Sequence, residues 1–112
     1  MSVVKDTIKA IPMVTFDTAT LAGAYLPINP LGLPYAASCI TIKNESNRIL
    51  DISYDGVVQH DILEDGDWLG IFPSQMLAQP TNNRCLWRKG QRFYVRAAAG
   101  IGNVYLIGFY QN

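Results

Sequence analysis

A chain of 112 residues, 49% hydrophobic and only 16% charged, is one domain that can bury about two-thirds of its unfolded surface. Nine basic residues balance nine acidic ones, which argues against a nucleic-acid partner, since such a module carries a clear basic excess. No apolar run reaches the length of a membrane span, and Met1-Ser2-Val3-Val4-Lys5-Asp6 lacks the apolar core of a secretory signal, so no membrane association is expected.

Residues 1–37 read as an N-terminal arm or first strands followed by a Pro-rich loop. Ile11 to Phe16 forms a strand that Pro12 confines to an edge or an arm. Thr18 to Leu26 is a second apolar run, and Pro27, Pro30, Gly32 and Pro34 then make a loop. The segment is either an extended arm on a neighbouring subunit or the first hairpin of the same domain.

Residues 38–112 read as the body. Ile40 and Ile42 alternate with Thr41 and Lys43 and point inward. Leu50, Ile52 and Tyr54 alternate with Asp51, Ser53 and Asp55 as a half-buried partner strand. Asp55-Gly56 suits a type I′ hairpin turn, with Val57 to Leu63 returning. Asp65-Gly66 makes the next turn into Asp67–Phe72, and Pro73 to Asn83 is a long loop. Residues 84–88 and 91–97 form a hairpin over Lys89-Gly90. The last strand, Asn103 to Tyr110, is apolar on both faces, which requires a cover on both sides. This spacing leaves no room for an ordinary helix. It predicts an all-β fold: a single antiparallel β-sandwich, jelly-roll or immunoglobulin-like, of seven to nine short strands with an extended N-terminal arm.

Little in the sequence points to chemistry, and no catalytic residue, metal site or cofactor is expected. His60, the sole histidine, fits a solvent-facing or structurally hydrogen-bonded role. Cys39 and Cys85 are too few and too separated for a metal site and read as reduced thiols, with a disulfide as the alternative. Glu64-Asp65-Gly66-Asp67 lacks the spacing of a calcium loop and reads as a solvated turn. Gly100-Ile101-Gly102-Asn103 precedes a strand, whereas a phosphate-binding loop follows one and opens a helix.

Charge is partitioned along the chain. Between Ile49 and Asn83 lie six acidic residues and no lysine or arginine; from Arg84 onward lie five basic residues and no acid. Two arrangements satisfy this. The segments pair within one subunit, or Arg84, Arg88, Arg92 and Arg96 of one subunit meet Asp61, Glu64 and Asp67 of the next in a homo-oligomer. Tyr105, Phe109 and Tyr110 of the twice-apolar last strand complete the expected interface. Phe93, Tyr94 and Trp87 interleave with the arginines as stacking platforms would, but alternation more simply buries Phe93 and Val95.

The turn-and-strand patterns Ile52-Ser53-Tyr54-Asp55-Gly56, Lys89-Gly90 and Gly102 to Gln111 resemble small all-β virion proteins of tailed bacteriophages, from Ser38 onward. The resemblance implies a non-enzymatic structural subunit, assembled in the host cytoplasm as a homo-oligomer with capsid or connector proteins as partners. Its place would be the capsid surface or the head–tail junction. It transfers no active site. The alternative is a carbohydrate- or receptor-binding module that stacks sugars on Trp68, Trp87, Tyr35 or Tyr110.

Overall fold

The computed structural model describes residues 8–71 and 86–111. Eight strands lie among them: β1 (Ile8–Asp17), β2 (Leu26–Pro27), β3 (Ala37–Ser46), β4 (Leu50–Ser53), β5 (Asp61–Leu63), β6 (Trp68–Ile71), β7 (Tyr94–Arg96) and β8 (Gly102–Gln111). They form two antiparallel four-stranded sheets, ordered β1-β8-β3-β6 and β2-β7-β4-β5. The only helical element among the described residues is a single 3-10 turn, Thr18–Thr20. The predominance of strand follows from the sequence, in which no apolar run keeps a helical period between its turns.

Alternation places the core. On β3, Ile40 and Ile42 are fully buried; on β4, Leu50 and Ile52 are, with Tyr54 half-buried beyond them. Val104 and Leu106 of β8 and Val95 of β7 join the same apolar cluster, which therefore draws on both sheets. Five residues of the segment 8–37 lie in this cluster as well: Ile11, Leu21, Ile28, Leu33 and Ala37 are buried. β1 is an edge strand paired along β8, and its register slips between Ile11 and Val14, where Pro12 supplies no amide to the ladder. The segment from Ile8 to Ala37 thus pairs and packs within its own chain.

Asn44 is an exception to inward apolar alternation. It is fully buried, and its amide donates to the carbonyls of Arg48 (2.7 Å), Leu63 (3.3 Å) and Glu64 (3.1 Å), while its Oδ1 accepts from the Ser46 amide and hydroxyl. These bonds satisfy backbone groups where the chain leaves β5 in one sheet for β6 in the other, a crossing that no ladder can serve.

Two local expectations are corrected. The Asp55-Gly56 turn is not type I′: β4 and β5 are joined by residues 54–60, and no described residue other than glycine has positive φ. The Asp55 carboxylate accepts the amides of Val57 (2.8 Å) and Val58 (3.0 Å), so the side chain itself shapes the loop. The returning strand is accordingly short, Asp61–Leu63, with Val57 and Val58 exposed. No hairpin closes over Lys89-Gly90 among the described residues. Trp87 pairs with Ala37 instead, β7 lies between β2 and β4, and Gly90 donates its amide to the Leu33 carbonyl.

Candidate functional site

The first sheet has a core-facing side and an outward side, and β8 contributes apolar residues to both. Val104, Leu106 and Gly108 are buried inward; Tyr105 and Ile107 are half-buried outward, and Phe109 is 37% exposed there. Cross-strand register shows what surrounds them, because directly paired residues share a face. Phe109 lies between Ala10 and Cys39, Ile107 is beside Thr41 and Gly70, and Tyr105 falls in a row with Thr15, Lys43 and Trp68. Met13, turned outward at the bulge, closes a shallow depression with Tyr105, Ile107, Lys43 and Glu45. Met13 is 57% and Trp68 61% exposed. The result is an outward sheet face that is apolar along β8 from Tyr105 to Phe109, with Lys43 beside Tyr105 and the acids Glu45 and Asp17 flanking Asn103 at one end.

The residues expected at an interface are not all brought together. Tyr105 and Phe109 share this face, but Tyr110 points to the other side, packs on the core and stacks on Tyr35 with ring centroids 4.1 Å apart and planes 12° from parallel. Burial raises the Tyr110 hydroxyl pKa, and Tyr35 adds to the effect. Arg96 lies in the second sheet, where its Nη2 sits 2.9 Å from Asp51 Oδ2 and its guanidinium 4.4 Å over the Tyr25 ring. In that pair the acidic and basic segments meet within one subunit. Arg92 is exposed and donates from Nε to the Pro30 carbonyl (2.8 Å), and Arg88 is exposed. Asp61 and Asp67 accept the amides of the residues that follow them, Ile62 (2.8 Å) and Trp68 (2.9 Å), and Glu64 is exposed. Arg84 and Cys85, with the loop expected over 73–83, lie outside the described residues.

Among the aromatic candidates for sugar stacking, Trp68 stands outward. Trp87 packs edge-on against Phe93 (5.1 Å) and tilted against Tyr54 (5.3 Å). Tyr54 also stacks on His60, whose Nδ1 accepts the Tyr54 amide at 3.0 Å, a structural role for that histidine. Desolvation pushes the Tyr54 hydroxyl up to about 12, with the negative charge of Asp61 adding to the shift. The Asp55 carboxyl is pulled down to about 2 by the Val58 and Val57 amides and the Ser53 hydroxyl. No group of three or more histidine, cysteine or acidic side chains converges as a cation site among the described residues.

Sequence reasoning expected contacts from the Asn103–Tyr110 strand and the Ile8–Ile28 segment but did not single out Ile107 and Met13 within them. Strict alternation from Tyr105 and Phe109 signals Ile107, whereas Met13 faces outward only because the bulge shifts its register. Compared with family models, with curated proteins and with solved structures, the chain matches none.

Proposed function

We propose that this protein is a non-enzymatic structural subunit of a tailed-phage virion, a single β-sandwich that assembles as a homo-oligomer on the capsid surface or at the head–tail junction. The observation that carries the assembly reading is the outward face of β8, where Tyr105, Ile107 and Phe109, with Met13 and Trp68, form an apolar surface on a central strand. A protein gains by covering contiguous apolar surface, and Lys43 stands on this face near the acids Glu45 and Asp17, opposite charges that a symmetric contact between two copies can pair. One core cluster shared by both sheets supports the sandwich. The virion assignment rests on the turn-and-strand resemblance alone.

Sedimentation velocity, at assembly-relevant concentration and with purified particles, tests the reading. The wild type should sediment as an oligomer or bind particles, and Ile107→Lys should abolish this with an unchanged circular dichroism spectrum. A wild-type monomer that binds no particle protein overturns it and favours the carbohydrate-binding alternative, for which the exposed Trp68 ring is the specific support.

A further inference from the structure

On the core-facing side of the first sheet, where β1, β8 and β3 meet the turn through Asn29-Pro30-Leu31-Gly32, a cavity of about 300 Å³ opens. Ile11, Val14, Ile40 and Leu106 form its floor and Leu33 and Leu31 its wall and rim. Interiors rarely leave voids of this size, because apolar walls without neighbours forfeit their dispersion contacts. We propose that this cavity binds a small uncharged apolar molecule, of the size of a two-ring aromatic or a medium-length alkyl chain.

Three observations set that class. The volume comes first: a dry aliphatic cavity of roughly 150 Å³ takes a single benzene, and ligand pockets begin near about 300 Å³. The second is chemistry. No ionisable side chain lines the cavity, and the Asn29 side chain, the Asn29 and Pro30 carbonyls and the Gly32 amide of its turn are already engaged. The Asn29 amide donates to the Gln91 carbonyl (3.0 Å) and accepts from the Phe93 amide (2.9 Å). Gly32 donates to the Asn29 carbonyl (2.9 Å), and Arg92 donates to that of Pro30 (2.8 Å). A charged ligand would surrender its hydration and gain no partner. The third is preorganisation. Pro12, Pro30 and Pro34 fix the backbone around the opening, and Gly32, at φ +79°, approaches Gly90 so closely that a Cβ would lie 2.6 Å from the Gly90 carbonyl oxygen. Walls held this way lose little freedom on binding. Leu31, 96% exposed, stands at the mouth. The cavity and the outward Tyr105–Phe109 face lie on opposite sides of the first sheet, so this site is independent of the assembly reading.

The test is a fluorescence titration of the full chain with 1-aminonaphthalene, a two-ring probe that is uncharged at neutral pH. Saturable binding of one probe per chain is expected. Val14→Phe, which places a ring in the cavity, should abolish it while the circular dichroism spectrum is unchanged. Leu31→Asp, at a side chain already in water, should weaken it about tenfold by placing a charge at an apolar mouth, and it decides the matter if the phenylalanine variant fails to fold. Absence of saturable binding, or wild-type affinity in the variants that fold, overturns the proposal. So does a wild type that binds no probe but loses oligomer mass on Leu31→Asp, which would assign the cavity to a second copy of the chain.

Discussion

Arg96 and Asp51 face each other across β7 and β4, directly paired in register and joined by two hydrogen bonds from the guanidinium to one carboxylate oxygen, at 2.9 and 3.1 Å. Both side chains are about a third exposed, so water screens the pair. A double-mutant cycle with Arg96→Ala and Asp51→Ala, read by chemical denaturation, should give a coupling of about 0.2–1 kcal/mol that shrinks with added salt. A coupling well above this range would mean that the pair is shielded by a neighbouring subunit.

Reversing Arg88 and Arg92 to Glu addresses the remaining basic residues. If acidic and basic segments also meet across subunits, the double variant should sediment more slowly than the wild type at low salt, with the difference fading at high salt. Unchanged sedimentation beside a dissociated Ile107→Lys variant would place the contact on the apolar face alone.

Ile52 is fully buried at the centre of β4, against the shared core. Ile52→Ala should cost about 2–5 kcal/mol in urea denaturation, the sum of lost transfer energy and an uncollapsed cavity. A loss of a few tenths would contradict the register that pairs Ile52 with Asp61 and Val95.

Asn44→Leu keeps the branched side-chain shape, with bulkier methyl ends, but strips the carbonyls of Arg48, Leu63 and Glu64 of their shared donor. Each buried group left without a partner costs about 1–3 kcal/mol. The variant should therefore lose more stability than an exposed substitution such as Asn47→Leu, and hydrogen exchange should speed at the β5–β6 crossing first.

The loop between β4 and β5 should respond to acid. Asp55 titrates at about 2 in the folded chain against an ordinary 3.8, so its bonds to Val57 and Val58 stabilise the loop fully above about pH 4 and are lost as the pH falls toward about 2. Amide chemical shifts of Val57 and Val58 should move through that window in the wild type. In Asp55→Asn, which keeps an acceptor oxygen and has no carboxyl proton to gain, they should not.

Strand periodicity was readable locally, and it located much of the core: Ile40, Ile42, Leu50, Ile52, Phe93 and Val95 face inward because side chains alternate along any strand. Pro12 likewise marked β1 as an edge, since a residue without an amide hydrogen is costly in a central strand. Partner choice was not readable, because a ladder is specified by contacts between residues far apart in sequence. The chain alone suggests a hairpin around Lys89-Gly90, yet Trp87 bridges Ala37 and β7 inserts between β2 and β4. Composition showed separated acidic and basic segments, and only the tertiary fold set Arg96 against Asp51. The same holds for the two apolar sites. Alternation in β8 shows two apolar faces, but which one meets the core depends on the second sheet. The cavity beneath Leu31 exists only because a proline-bounded turn is held against β1, β8 and β3.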